Sequence, residues 1–203
     1  LAFESFRTAK KGSGIYSNGM SHWSLDDLAA HAKDGTLPAV SWVLPPQSFS
    51  EHPGGPSSPQ KGSNYTEQVL NALTSNPEVW SKTVFFLTFD ENDGQFDHLP
   101  PPAVPSYNLD GTLAGASTLP LDGEYFHDVA RAYLKEDDTI SGNVRPFGLS
   151  ARVPMYVVSP WSKGGWVNSE VFDHTSLAMF IEKRFDVTVP GISPWHRAVC
   201  GDL

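Results

Sequence analysis

An abrupt change from apolar to acidic residues within residues 83–102, TVFFLTFDENDGQFDHLPPP, constrains this chain more than any other feature. The apolar run at residues 84–89 predicts a buried strand of a mostly parallel sheet. The acidic sequence DENDG follows at once, and Asp97 and His98 come shortly after it. Ligands of open α/β sheets bind just beyond the carboxyl ends of strands. The turn after this strand is therefore expected to hold a functional site.

Asp90 and Glu91, the first two residues of the turn, are the candidate metal ligands. Carboxylate oxygens suit hard or borderline divalent cations, and both side chains can converge where the strand gives way to the turn. The residues do not indicate which metal it is. An EF-hand is excluded because positions five, six and twelve counted from Asp90 are Gly94, Gln95 and Pro101. Solvated surface acids are the alternative, but the apolar strand directly before them favours a site.

Two histidines are candidate catalytic residues. His52 lies in a Glu-His-Pro sequence within a long loop, where an imidazole can bind a metal, protonate a leaving group or simply face solvent. His98 follows the acidic turn, where Asp97 either orients it or caps the proline-rich turn. His174, at a helix start, is a weaker candidate. The remaining histidines are expected to be surface residues: His22, His31, His127 and His196.

Composition excludes several classes of protein. The net charge of −9, from 23 acidic and 14 basic residues, excludes an electrostatic nucleic-acid binder. The single Cys200 excludes an internal disulfide and a cluster of zinc-bound thiolates. No apolar run approaches the length of a transmembrane helix. The tryptophans are expected to be packing residues, but Trp161 and Trp166, beyond a predicted strand, could also contribute to a cage for a quaternary ammonium group.

Hydrophobic periodicity predicts an alternation of strands and helices. Strands are expected at residues 37–44, 84–89 and 153–159. Helices are expected at residues 24–35, from Asn64 onwards, and after Asp173 as N-cap, where Leu177, Phe180, Ile181 and Phe185 are spaced to form an apolar face. This alternation predicts an α/β fold, a three-layer α/β/α sandwich. There is no internal repeat or linker, so residues 1–203 are expected to form one domain.

Several motifs together resemble one enzyme family. They are FDENDGQFDHLPPP, SFSEHPGGPSS, RVPMYVVSPWSKGG, FDHTSLAMFIEKRF and ISPWHRAVCGDL. In family order and spacing, from about Ser24 to Leu203, they resemble the bacterial phosphocholine-preferring phospholipase C family. That family belongs to a phosphoesterase superfamily shared with a respiratory-burst-inhibiting acid phosphatase. Glu91 resembles the phospholipase branch, because the phosphatase branch usually has a second Asp there.

The resemblance implies an alkaline-phosphatase-like α/β/α sandwich and a divalent metal bound by Asp90 and Glu91. It also implies that His52 contacts the phosphoryl group or the leaving oxygen. The family's Glu-Asn metal motif and its Ser or Thr nucleophile have no match in this chain and are expected before Leu1. The chain is therefore expected to be the C-terminal portion of a catalytic domain, inactive alone, from a secreted or periplasmic bacterial enzyme whose signal peptide lies outside it.

The predicted function is a phospholipase C that hydrolyses phosphatidylcholine or sphingomyelin to phosphocholine at a membrane surface. Three alternatives remain open at the level of sequence. One is an acid phosphatase on the same scaffold, and another is a glycosidase that uses Asp90 and Glu91 as acid and base without a metal. The third is a non-catalytic fragment or binding module. The oligomeric state is not indicated.

Overall fold

The computed structural model describes residues 3–108, 110–126 and 144–203. The chain divides into two compact units. The first unit comprises Leu1–Thr88 and Met155–Gly165, and the second comprises Phe89–Pro154 and Trp166–Leu203. His127, expected at the surface, lies outside the described residues.

Helices are the main regular secondary structure of the first unit. They are α1 (Glu4–Arg7), α2 (Gly14–Gly19), α3 (Leu25–Asp34), a 3₁₀ turn at Gln47–Phe49, α4 (Pro59–Thr74) and α5 (Pro77–Trp80). The predicted helix at residues 24–35 is confirmed. Ser24 accepts a hydrogen bond from the Asp27 backbone N–H and Asp27 accepts one from the Ser24 N–H, which forms a capping box. Gly35, at φ 69°, ends α3 in the left-handed conformation.

Helix α4 begins earlier than Asn64, where the sequence pattern placed its start. Ser58 is the N-cap and accepts a hydrogen bond from the Lys61 N–H, and Pro59 occupies the first helical position. A proline is favoured there because its fixed φ suits a helix and no backbone donor is lost. The predicted start was wrong because this Ser-Pro signal was read as part of the preceding loop.

The core of the first unit lies between α3 and α4, which pack against each other. Its buried side chains are Ala32, Val69, Ala72 and Leu73. The Asn76 side-chain amide donates to the carbonyls of Ala32 and Lys33, and its oxygen accepts from the N–H of Glu78. One side chain therefore satisfies the free carbonyls at the end of α3 and the free N–H groups at the start of α5.

The sheet of the first unit consists of β1 (Phe85–Thr88) and β4 (Met155–Val158). Two of the predicted strands are thus confirmed, with shorter bounds. They pair antiparallel, with Phe85 opposite Val158 and Thr88 opposite Met155. The expected parallel arrangement is wrong for this pair. Neither strand is fully buried in the described structure, and Tyr156 is 57% exposed.

The third predicted strand, at residues 37–44, does not form. Trp42 is 72% exposed and Leu44 is 81% exposed. Prolines at positions 38, 45 and 46 supply no backbone N–H, and no strand of the described structure pairs with this segment. An apolar composition is not sufficient for a strand without a hydrogen-bonded neighbour.

The second unit contains the strand pair β2 (Tyr125–Phe126) and β3 (Arg145–Pro146), and the helices α6 (His174–Phe185) and α7 (Pro194–Val199). Asp173 caps α6 as predicted, in a capping box with Ser176. The fully buried residues of α6 are Ser176 and Met179 rather than the predicted apolar face. Met179 packs with Ile192 and Cys200 in the core of this unit.

The described structure is a mixture of helices and small sheets, which is compatible with the predicted α/β class. Searched over the described residues, it contains no helix with the length and apolar character needed to cross a bilayer.

An ion pair joins α6 to α7. The Glu182 carboxylate accepts hydrogen bonds from both terminal nitrogens of Arg197, at 2.8 and 2.9 Å, and from the Val189 N–H. Arg197 first, and then the Val189 N–H, lower the pKa of Glu182 to about 2. A carboxyl group whose pKa is lower in the folded protein stabilises the fold above its ordinary pKa and loses that contribution as the pH falls toward the folded value.

We predict that the stability difference between the wild-type protein and the Glu182→Gln variant shrinks as the pH falls from about 4.5 to about 2. Thermal unfolding followed by circular dichroism across this range measures the difference. Glu78→Gln is the matched control, because Glu78 forms an exposed i,i+4 pair with Lys82 and should change stability little at any pH. A Glu182→Gln difference that stays constant across the range would contradict the prediction.

Candidate functional site

The acidic sequence after β1 folds into a tight turn in the second unit. The Gln95 N–H donates to the Asn92 carbonyl at 2.8 Å, and the two residues between them, Asp93 and Gly94, have φ angles of 50° and 79°. Two successive left-handed residues closed by this bond form a type I′ turn, for which Asp-Gly is a favoured pair. The turn brings the carboxylate oxygens of Glu91 and Asp93 within 4.8 Å of each other.

This pair of carboxylates has the right chemistry for a divalent cation. Glu91 is exposed, and carboxylate oxygens are the ligands that Mg²⁺, Ca²⁺, Mn²⁺ and, less selectively, Zn²⁺ accept. Asp93 was not predicted as a ligand, although the Asp-Gly turn signal in the sequence could have placed it beside Glu91. Asp90 accepts a hydrogen bond from the Glu91 N–H at 3.1 Å. Its role as a metal ligand stays a prediction.

His98 follows the turn and is exposed. Its neighbour Asp97 binds Arg152 through one carboxylate oxygen and accepts a hydrogen bond from the Leu99 N–H at 2.9 Å through the other. The Arg152 guanidinium, followed by the Leu99 N–H, lowers the pKa of Asp97. Of the two alternatives raised by the sequence, Asp97 therefore caps the turn before the prolines. The catalytic role of His98 stays a prediction.

His52 lies in the first unit, in a loop fixed by several hydrogen bonds. The Glu51 N–H donates to the Ser57 hydroxyl at 2.8 Å, and the Lys61 ammonium donates to the Pro56 carbonyl at 2.7 Å. The His52 ring itself is exposed and bonds to the Pro53 carbonyl through Nδ1 at 2.6 Å. The long loop predicted here is thus an ordered loop that holds His52, and the grouping of His52 with Asp90 and Glu91 remains a prediction.

The Glu51 side chain packs across α4 at Gly62. A Cβ atom on Gly62 would lie 1.9 Å from Glu51 Oε1 and 2.3 Å from Glu51 Cγ, well inside van der Waals contact. Glu51 also has a φ of 66°, a left-handed conformation that few non-glycine residues adopt. The missing side chain at position 62 therefore leaves the space against α4 that the Glu51 side chain occupies.

His174, a weaker candidate from sequence, anchors the start of the acidic turn. Its Nε2 donates to the Phe89 carbonyl at 2.9 Å, within the second unit. Because a carbonyl only accepts hydrogen bonds, this contact places the proton of the ring on Nε2. His174 is the first residue of α6, so this helix start fixes the residue immediately before Asp90.

His196 was expected at the surface, and that expectation is wrong. Its side chain is 17% exposed, and Nδ1 lies 2.7 Å from Asp173 Oδ2. On the opposite edge of the ring, Nε2 lies 3.5 Å from Oε2 of Glu124, whose side chain is 1% exposed. The buried Trp195 beside it was a signal of burial in the sequence, but nothing local indicated the two carboxylate partners.

Comparison with known proteins identifies the family of this chain. A sequence model described as the Phosphoesterase family matches residues 2–188, which include the acidic turn and the His52 loop. The chain belongs to the phosphoesterase family. The match confirms the superfamily that the motifs suggested.

Several proteins similar to this phosphoesterase chain are named phospholipase C. It is 54% identical over 203 residues to a non-hemolytic phospholipase C of Pseudomonas aeruginosa, covering 100% of the chain and 28% of that protein. It is 47% identical to a non-hemolytic phospholipase C of Burkholderia pseudomallei, with the same two shares. It is 39% identical over 180 residues to phospholipase C B of Mycobacterium tuberculosis, covering 87% of the chain and 30% of that protein. The chain thus spans less than a third of the length of these relatives.

Proposed function

We propose that this chain is part of a phospholipase C that hydrolyses phosphatidylcholine or sphingomyelin to phosphocholine. The observation that carries the proposal is the pair of converging carboxylates, Glu91 and Asp93, in a phosphoesterase-family chain. Relatives named phospholipase C, similar over all or most of the chain, support the choice of substrate class. The attacking group is the Ser or Thr nucleophile that the family resemblance implies, outside residues 1–203.

We assign Asp90 and Glu91 as ligands of a divalent metal and add Asp93 as a third candidate. The fit rests on the donor chemistry, because carboxylates in an exposed turn suit an oxygen-liganded cation. Such an ion supplies Lewis acidity that stabilises negative charge on the phosphoryl oxygens. The contribution of the chain is to hold these carboxylates together, through the Asp93-Gly94 turn and through the His174 bond to Phe89.

We assign His52 the role of neutralising the transferring group or protonating the leaving alkoxide. An imidazole is suited to both tasks near neutral pH. The hydrogen-bonded loop around Glu51, together with the Nδ1 bond to the Pro53 carbonyl, holds the His52 ring in place. His98, exposed after the acidic turn, is retained as a second catalytic candidate.

The finer architecture belongs to the same proposal. In the whole enzyme, residues 1–203 would form part of one catalytic domain with a three-layer, alkaline-phosphatase-like α/β/α sandwich. The enzyme would be secreted or periplasmic and would act on phospholipid at a membrane surface. The sheet of β1 and β4, with Tyr156 and Val157 exposed, has surface available for further strands or helices of such a sandwich.

The proposal is tested with the full-length protein on matched substrates. Release of phosphocholine from phosphatidylcholine vesicles is compared with release of phosphate from a simple phosphomonoester. We expect the diester to be cleaved preferentially, activity to be lost on chelation, and activity to return with a divalent ion. If only the monoester were cleaved, the protein would be a phosphatase and the proposed phospholipase activity would be wrong. If chelation did not change the activity, the proposed metal site would be wrong.

We predict that Gly62→Ala lowers phosphocholine release by the full-length protein on the order of tenfold without destabilising the fold. An alanine within a helix gains about 1 kcal/mol over glycine, but the new Cβ must displace the Glu51 side chain, which packs beside the loop that holds His52. Initial rates together with thermal unfolding separate the two effects.

Gly14→Ala is the matched control for this substitution. Gly14 lies in α2 with no atom within 4 Å of the added Cβ, so both rate and unfolding temperature should stay close to wild type. Wild-type activity in the Gly62→Ala variant would show that the position of the His52 loop does not matter for the reaction.

A further inference from the structure

A second cluster of ligand-type side chains lies in the second unit, apart in sequence from the acidic turn. It consists of Glu124, Asp173, His196 and Cys200, and we refer to it as the cysteine–histidine cluster. Asp173 is the N-cap of α6, and His196 lies in α7. Cys200 is the C-cap of α7, and Glu124 directly precedes β2. Cys200 is 6% exposed, and no residue of the cluster has a role in the proposed hydrolysis.

Asp173 divides its two carboxylate oxygens between two tasks. Oδ1 caps α6, accepting from the N–H groups of Thr175 and Ser176 and from the Thr175 hydroxyl. Oδ2 faces the cluster, where it lies 2.7 Å from Nδ1 of His196. The Cys200 Sγ lies within 4.8 Å of an oxygen of the same carboxylate. The hydrogen bonds to Oδ1 fix the orientation of the carboxylate, while Oδ2 takes no part in capping α6.

Glu124 is the second, independent observation. In the part of the chain that the structure describes, its Oε2 is buried and makes no hydrogen bond. A buried carboxylate oxygen without a donor is costly, and this one faces Nε2 of His196 at 3.5 Å. A proton on Nε2 would satisfy Glu124. Nδ1 would then point a lone pair at Asp173 Oδ2, and two acceptors at 2.7 Å require a cation between them: either a proton or a metal ion.

We propose that Asp173 Oδ2, His196 Nδ1 and Cys200 Sγ form a binding site for a divalent transition metal of the zinc type, with Glu124 orienting His196 through its Nε2–H. The three ligand atoms lie within 4.8 Å of one another. Ligands of a tetrahedral zinc ion are separated by roughly 3.5 Å, so binding needs the 2.7 Å contact to open by less than about 1 Å. A carboxylate behind a metal-bound histidine is the usual arrangement of such sites.

Metal binding at this site would be accompanied by the release of protons. Desolvation first, and then the neighbouring carboxylates, raise the pKa of the Cys200 thiol to about 12, so the thiol is protonated in the absence of metal. Metal binding would release that proton and the proton on Nδ1 to solvent. A doubly charged ion then replaces two protons and leaves the net charge of the cluster unchanged. The site would tie α7 to the start of α6, whose His174 holds the acidic turn.

The test is a Co²⁺ titration of the metal-stripped full-length protein. A thiolate bound to Co²⁺ gives a charge-transfer absorption band in the near ultraviolet, which an oxygen-liganded site does not. We expect this band in the wild-type protein, its displacement by Zn²⁺, and its loss in Cys200→Ser. The band should persist in an Asp90→Asn, Glu91→Gln double variant, which separates this site from the proposed catalytic metal.

Two further measurements keep the test independent of misfolding. Zn²⁺ should protect the backbone amides of α7 in the wild-type protein from hydrogen exchange, measured by mass spectrometry. Glu124→Gln should keep the band but weaken Zn²⁺ binding by about ten- to a hundredfold. Absence of the thiolate band in the wild type, or hydrogen exchange in α7 unaffected by Zn²⁺, would overturn the site and leave a proton between His196 and Asp173. An unchanged Zn²⁺ affinity in Glu124→Gln would overturn the role of Glu124.

Discussion

Replacing Asp90 by Asn, or Glu91 by Gln, in the full-length protein is expected to lower phosphocholine release by on the order of a hundredfold or more. Each change keeps the shape of the side chain and removes one negative charge from the acidic turn. Loss of a single group that stabilises a developing charge typically has an effect of this size. Initial rates at increasing concentrations of divalent ion measure it, and we expect the variants to need more metal for half-maximal activity.

Asp122→Asn is the matched control for these substitutions. Asp122 is an exposed carboxylate of the same unit, also in a turn, and its removal changes the net charge by the same amount. Its activity and metal requirement should equal those of the wild type. If Asp90→Asn and Glu91→Gln behaved like Asp122→Asn, the acidic turn would be a solvated loop and the proposed metal site would be wrong. The comparison of Asp93→Asn with these variants shows whether the third carboxylate takes part.

Replacing Trp195 by Ala is expected to lower the free energy of unfolding of the second unit by about 3–5 kcal/mol. The Trp195 side chain is 5% exposed and meets the His196 ring edge-to-face at a centroid distance of 5.2 Å. Truncation removes buried apolar area and leaves a cavity that the surrounding helices cannot fill. Hydrogen exchange followed by mass spectrometry measures the effect locally, as lost protection of backbone amides in α7.

Trp166→Ala provides the control, because Trp166 is in the same unit but is 87% exposed. Its effect on protection should stay within about 0.5 kcal/mol. Trp195→Phe should fall between the two, since it restores part of the buried ring. Equal protection in Trp195→Ala and the wild type would show that α7 does not depend on this side chain for its packing.

Local signals in the sequence predicted the elements whose determinants lie within a few residues. The capping boxes that begin α3 and α6 each involve residues three positions apart, and the structure has both. The apolar runs that became β1 and β4 were also recognised, because their β-branched and aromatic residues favour extended backbone. The position of the acidic turn after β1 followed directly from chain order, and the motifs there identified the phosphoesterase family.

The pairing of strands and the burial of side chains could not be predicted from local signals. The antiparallel orientation of β1 and β4 depends on the path of the long segment that connects them. The hydrophobic periodicity of the strands carries no information about that path. Residues 37–44 have the composition of a strand but no partner. Asp93 lies beside Glu91 because two successive left-handed residues, Asp93 and Gly94, reverse the chain. The apolar-to-acidic pattern that predicted Asp90 and Glu91 as ligands does not indicate this reversal.

The sequence by itself determined the family, the N-caps of α3 and α6, and the acidic turn, because each depends on residues that are adjacent or nearly so along the chain. Only the tertiary structure decided the surroundings of His196. This residue lies 23 positions from Asp173 and meets Glu124 from yet another segment, and folding buries all three side chains together. Burial is what gives such contacts their importance, because charged groups removed from water must be satisfied by one another or by a bound cation.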